Sequence, residues 1–282
     1  MHIPVMLKEV LEFSGIREDS IVIDATFGFG GHSRKFCEIV KSGIIIGFEK
    51  NPQTYEIVKE EFKHLKNIYL FNIGYENMRK VIDKLNLLNK CDIVLFDLGL
   101  SSFLIEKSGL GFSYKSDEIL DMRFDPREGK PLYLVLESLR EEEISNILRN
   151  YGDIKKPYKI SKMILKNKPI RTTKELSNIV KMCSLKTKQD KMLKRVFQAF
   201  RIYINDEINN LRKGILNAHK CLKPNGKLLV ISYHSIEDRV VKEFSKSIFF
   251  KPLFKKPIKP SKEEILKNPR SRSAKLRVLI KR

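Results

Sequence analysis

The chain reads as an α/β protein with a doubly wound, mostly parallel, Rossmann-like sheet interrupted by an inserted all-helical domain. Three observations predict this. Short apolar runs alternate with helical patterns over the first hundred residues, as a parallel sheet covered on both faces requires. From 132 to 195 only helical periodicity is present. Strand patterns then return at Lys227–Ser232 and Leu276–Ile280.

Ser20–Asp24 is the first apolar run, ending in a carboxylate before a Gly-rich turn. From His32 to Lys41, Phe36, Ile39 and Val40 share one helical face, and Gly43 stops the helix. Gly43–Phe48 is a second strand, followed by Glu49, and Pro52 suits the start of a helix over 52–64. Ile68–Phe71 and Asp92–Phe96 are two further buried strands; the latter is placed beside the first and closed by Asp97. Gly109–Gly129 reads as a polar loop with few periodic apolar residues. Leu139, Ile144, Ile147 and Leu148 mark a helix, and Thr172 with Glu175 forms a capping box before another. One long helix is predicted through Phe197, Phe200, Ile204, Ile208, Leu211 and Ile215, ending at Lys223-Pro224-Asn225-Gly226. Residues 245–275 are basic and contain prolines, so a surface segment of partial order is expected there. The expected domains are 1–105 with 205–282, discontinuous, and a helical insertion over 106–204.

The net charge of +21 is unevenly distributed. Residues 1–100 carry −1, residues 101–200 carry +8 and residues 201–282 carry +14. Residues 151–200 hold 14 Lys and Arg against 3 acidic residues, so the helical block is basic. A localised positive surface favours a polyanion, because neutralised phosphates release counterions. Cys37, Cys91, Cys183 and Cys221 lie far apart and form no metal-type or redox pair. Reduced thiols, a cytoplasmic location and no membrane partner are expected.

The first strand–helix turn reads Asp24-Ala25-Thr26-Phe27-Gly28-Phe29-Gly30-Gly31-His32. Its glycines admit close backbone approach, and the helix start offers free N–H groups. A dinucleotide fingerprint would need a third glycine where Ser33 stands. Glu49 can accept hydrogen bonds from both hydroxyls of a ribose. Asp97-Leu98-Gly99-Leu100-Ser101-Ser102 follows the strand expected beside the first. Three acidic strand ends suit a cationic sulfonium with a ribose better than a pyrophosphate, which ranks a methyltransferase above a dehydrogenase.

His2-Ile3-Pro4-Val5-Met6-Leu7-Lys8-Glu9-Val10, Gly30–Ser33 and Asp97–Ser102 resemble blocks of the bacterial RsmH (MraW) methyltransferases. So do Gly111–Ser113, Leu120–Arg123, Phe197–Ile202, Ser232–Arg239 and Asn268–Val278, in family order across the chain. The resemblance implies a class I S-adenosylmethionine-dependent methyltransferase fold. It also implies methyl transfer to N4 of a cytidine in the decoding region of 16S ribosomal RNA, within the small subunit. A homodimer is left open. The implied cofactor contacts are Gly30, Gly31, His32, Glu49, Tyr75, Asp97 and Leu104. Three of these positions or their neighbours depart from the family: Glu49 stands for Asp, Leu104 for Gln and Phe29 for Arg. Met192-Leu193-Lys194 also replaces a Pro-Ala-Thr block.

An exocyclic amine conjugated into its ring is a weak nucleophile, so a proton acceptor and in-line placement help. Candidate acceptors are Asp97, Ser101 and Asp121, with His234 as a late acceptor. An unstacked base needs flat or cationic surfaces, for which Phe112, Tyr114, Arg123 and Tyr233 are the candidates. Plainer readings stand beside these. His234 can be a hydrogen-bonded structural residue, Asp121 and Arg123 an ion pair, Phe197 and Phe200 core, and His64 and His219 surface residues. Nothing in the spacing points to a metal site. The competing functions are methylation of DNA or a small molecule, and RNA binding without catalysis.

Overall fold

The computed structural model describes residues 4–282. His2 and Ile3 of the N-terminal motif therefore lie outside the described residues, as does the side chain of Ser102. Two compact units form, one running up to Gly99 and resuming at Ile208–Arg282, the other Leu100–Glu207.

The first unit opens with α1 (Leu7–Ser14), β1 (Ile21–Asp24), α2 (Gly31–Ile39), β2 (Ile44–Phe48), α3 (Pro52–Phe62), β3 (Ile68–Phe71), α4 (Met78–Lys84) and β4 (Cys91–Asp97). Alternate residues of these short strands enter different cores, as a pleat dictates. Ile23, Ile46, Val94 and Phe96 pack on one side of the sheet. Val22, Ile45, Ile93 and Leu95 pack on the other. Burial on both faces is why the strands read as unbroken apolar runs.

The second unit holds α5 (Ser102–Glu106), α6 (Leu132–Ser138), α7 (Glu141–Gly152), α8 (Tyr158–Lys166), α9 (Thr173–Met182) and α10 (Gln189–Ile204). Its core includes Leu136, Ile144, Leu148, Ile164, Leu176, Val180, Val196 and Phe200. The segment read as a polar loop contributes Phe112, Leu120 and Met122 to the same core. That segment is pinned by backbone rather than by periodic packing. Leu120 N donates to Arg171 O at 2.9 Å, and Met122 N donates to Leu110 O at 2.7 Å.

The chain then continues through α11 (Glu207–Cys221), β5 (Leu222–Ser232), α12 (Ser235–Phe244), β6 (Phe250–Pro252), α13 (Lys262–Lys267) and β7 (Lys275–Lys281). The single long helix predicted here is two helices, because Asn205-Asp206 breaks it. Asp206 takes φ 47°, a conformation that Asp tolerates better than most residues. The Asn205 amide donates to Met122 O at 2.7 Å and Arg201 O at 2.9 Å, while its oxygen accepts from Phe124 N at 2.7 Å. Apolar spacing continues across the break and so hides it. The Pro224-Asn225-Gly226 stretch is a register shift within β5 rather than a separate turn. His219, read as a surface residue, is half-buried with its ring edge-on to Phe249 and Phe250, and burial lowers its pKa.

The sheet order is β3-β2-β1-β4-β5-β7-β6. All neighbours are parallel except β5–β7 and β6–β7. The chain moves outward from β1 to β3 and then crosses to β4 on the other side of β1. Ligands of open α/β sheets bind at such a reversal, beyond the carboxyl ends of the strands. Among the described residues no helix is long and apolar enough to cross a membrane.

Candidate cofactor and methyl-transfer site

Asp24, Glu49 and Asp97 stand at the ends of β1, β2 and β4, on either side of the reversal. Asp24 is buried, and its Oδ2 accepts from Ser33 Oγ at 2.6 Å. Burial raises its pKa despite that bond. The turn after it needs glycine at Gly30, where φ is 70°. A Cβ there would lie 2.3 Å from Phe62 Cζ and 2.8 Å from Phe27 Cε1. The helix α2 starts immediately afterwards, its first N–H groups having no partner within the helix.

The Glu49 carboxylate is held by two backbone donors. Gly28 N donates to Oε2 at 3.0 Å and Asn51 N to Oε1 at 2.7 Å. Burial outweighs these bonds and pushes its pKa up to about 7, with the Asp24 charge adding to the rise. Asn51 also caps α3 by accepting from Thr54 N at 2.8 Å. Glu49 thus ties the glycine turn to the start of α3, and each oxygen keeps a lone pair for a further donor.

Asp97 is the most connected of the three. Its N–H donates to Thr26 Oγ1 at 2.6 Å, which joins β4 to the glycine turn. The Tyr233 hydroxyl donates to Asp97 Oδ1 at 2.7 Å. That phenol is held far above its ordinary pKa by burial and by the Asp97 charge, so it stays a donor. Oδ2 faces His32 Nδ1 at 3.9 Å. His32 Nε2 lies 3.0 Å from the Val5 carbonyl oxygen, which can only accept. His32 Nε2 therefore carries a proton, and Nδ1 is the ring nitrogen turned toward Asp97.

Tyr75 is half-buried and edge-on to Phe96, with ring centroids 5.1 Å apart. It lies so close to Gly214 of α11 that a Cβ there would meet Tyr75 Cδ2 at 2.7 Å. Through Gly28 and Thr26 the glycine turn is thus joined to Glu49 and to Asp97, which in turn meets Tyr233 and His32. Tyr75 belongs to the same unit.

His234 has a structural task in the same unit. It caps α12, with Nδ1 accepting from Glu237 N at 3.3 Å. Glu237 returns the bond by accepting from Tyr233 N at 2.8 Å and His234 N at 3.3 Å. His234 Nε2 lies 2.9 Å from Glu237 Oε1 but is not aligned for a hydrogen bond.

The remaining sequence-predicted residues lie in the second unit. Asp121 and Arg123 form a two-pronged ion pair, at 2.7 Å from Nε and 2.8 Å from Nη2. Phe112 is buried and stacked on Phe124, with centroids 5.6 Å apart, so the core occupies a ring expected to receive a base. Ser101 caps α5 by accepting from Leu104 N at 3.2 Å, and Leu104 is buried in the insertion's core. Tyr114 donates to Asp190 Oδ1 at 2.9 Å and packs against Phe197. Sequence reasoning missed Thr26, Ser33 and Asn51. Thr26 and Ser33 flank the glycine turn, and Asn51 precedes Pro52 in an N-cap position, so local cues were present.

Comparison with known proteins gives a full-length result. The model of the "MraW methylase family" matches residues 1–282. The ribosomal RNA small subunit methyltransferase H of Caldicellulosiruptor saccharolyticus is 39% identical over 301 residues, covering 98% of each chain. The protein of that name from Dictyoglomus turgidum is 41% identical over 286 residues, covering 99% of this chain and 96% of its own. The Thermotoga neapolitana counterpart is 37% identical over 284 residues, covering 98% and 94%.

Proposed function

The chain belongs to the MraW methylase family, and on that premise we propose that it methylates N4 of a cytidine in 16S ribosomal RNA within the small subunit, using S-adenosylmethionine. The observation that carries this reading is Asp97, one oxygen of which is held by Tyr233 while the other lies 3.9 Å from His32 Nδ1.

Bound S-adenosylmethionine supplies an electrophilic methyl group on a sulfonium. The residues fit it: a ribose acceptor at Glu49, a glycine turn allowing close approach, and a concentration of carboxylates for a cation. Asp97 Oδ2 takes the proton that the amine releases as the N–C bond forms and the C–S bond breaks, its electron pair staying on sulfur. Tyr233 keeps that carboxylate oriented. His32 Nδ1 offers a second base for the same proton. Arg123 remains a candidate for meeting the RNA, whereas Asp121, its ion-pair partner, serves to hold it. His234 acts through its cap, placing Tyr233 rather than taking a proton. The basic helical insertion over 106–204 is the RNA-recognition domain, its 14 basic against 3 acidic residues over 151–200 being suited to phosphate.

The test is incubation with labelled S-adenosylmethionine and small subunits from cells lacking the enzyme. Label is expected at a cytidine of 16S RNA. Label in DNA alone, or cofactor binding without any transfer, would sink the proposal.

A further inference from the structure

We propose that Tyr158, backed by Arg149, is a stacking platform for an unpaired RNA base on the helical insertion. The inference rests on the reading of RNA as substrate and names where a single strand meets the second unit.

Tyr158 opens α8 with 61% of its surface exposed, an unusual display for so large a ring. The ring is nevertheless fixed. Arg149 Nη2 donates to the Tyr158 hydroxyl at 2.9 Å, and the guanidinium carbon lies 5.5 Å from the ring centroid. Arg149 is itself held by Asn146 Oδ1 at 2.9 Å. A preorganised aromatic surface loses little entropy when a base lands on it.

The surroundings supply the second half of a nucleic-acid site. Lys155, Lys156, Lys159 and Lys162 are all exposed. Among the described residues none of the four takes part in an ion pair, whereas Lys35 and Lys194 each pair with a carboxylate on their own helix. Four exposed lysines within four positions of Tyr158 in the chain make the start of α8 a locally basic surface that suits a polyanion. A lysine-rich surface alone would fit any polyanion. The fixed ring is what selects a strand with splayed bases, since duplex bases present no face to it.

The test uses the full chain, a short fluorescently labelled single-stranded RNA and the matching duplex, read by anisotropy over a salt series. Tyr158→Ala is expected to weaken single-strand binding about tenfold, the worth of one base–aromatic stack. Tyr158→Phe keeps the ring but loses the bond from Arg149, and is expected to fall between the wild type and Tyr158→Ala. Lys159→Ala with Lys162→Ala is expected to lower the salt slope by about 1.4. Wild-type affinity in Tyr158→Ala overturns the platform, as does a preference of the wild type for duplex. A parallel loss of cofactor affinity in Tyr158→Ala also overturns it, since the ring would then be a structural support. If the wild type binds the strand through Tyr158 yet methylates no subunit, the platform stands and the proposed reaction falls.

Discussion

Glu49 shows how a carboxylate can be both held and strained by its surroundings. Two backbone donors orient it, while burial pushes its pKa to about 7 from an ordinary 4.5. The ribose hydroxyls donate, so they need the ionised form. Cofactor affinity is therefore expected to rise about tenfold between about pH 6 and pH 8. Glu49→Gln should flatten that profile, and Glu49→Ala should weaken binding while leaving the fold intact. Calorimetry at the two pH values decides this; equal affinities would show that Glu49 does not meet the ribose as a carboxylate. Stability of the free protein runs the other way. A raised pKa means the fold prefers the protonated acid, so this contribution is full below about 4.5 and is lost as pH rises through about 7. Asp97 is tested by turnover. Asp97→Asn is expected to lower kcat by about a hundredfold or more, while Tyr233→Phe, which loses only the orienting bond, should lose less. Single-turnover methylation measures both, and an unchanged rate in Asp97→Asn would remove it as the proton acceptor. The acidic strand ends were readable because an apolar run ending in Asp or Glu is a local pattern. The Tyr233–Asp97 bond was not, because its partners are 136 residues apart and only the sheet order brings them together.

At the scale of elements, the glycine turn and the α10–α11 break are the two places where backbone geometry decides the structure. Gly30→Ala would put a Cβ at positive φ and against Phe62 and Phe27. A loss of about 3 kcal/mol or more is expected from strain and overpacking together. A urea midpoint unchanged from wild type would show that the turn relaxes around the methyl. Asn205→Ala removes three hydrogen bonds that join the break to Met122, Phe124 and Arg201. A loss of about 2 kcal/mol is expected, because the backbone groups it satisfies are left buried. Both elements show what periodicity can and cannot convey. The strands were legible because burial on two faces leaves a continuous apolar run. The helix break was not, since Ile204 and Ile208 keep a spacing of four across it. The segment 109–129 is a loop as its lack of periodicity predicts, but the burial of its apolar residues was hidden for the opposite reason. Its buried Leu120 is held by a backbone hydrogen bond to Arg171, Met122 by one to Leu110, and Phe112 by stacking on Phe124, none of which leaves a repeating pattern.

Across the whole molecule, charge divides along the chain as the chemistry does. Residues 1–100, which supply Glu49, Asp97 and the glycine turn, are close to neutral, and the excess of Lys and Arg lies beyond them. A cofactor with one net positive charge, held mainly by a few placed hydrogen bonds, should bind with only weak dependence on salt. An RNA strand held by about five phosphate contacts should instead lose about a hundredfold in affinity between about 50 and 200 mM salt. The two measurements, calorimetry with the cofactor and anisotropy with RNA, can be made on one preparation in the same buffers. Steep salt dependence of RNA binding beside a flat cofactor response would locate the polyanion on the basic part of the chain. A flat RNA response would mean that the lysines of 151–200 are a solvated surface, and that recognition rests on few contacts near the transferred methyl. Loss of cofactor affinity with salt would carry a different meaning: the carboxylates at the ends of β1, β2 and β4 would then be gathering a cation largely through field rather than through placed hydrogen bonds.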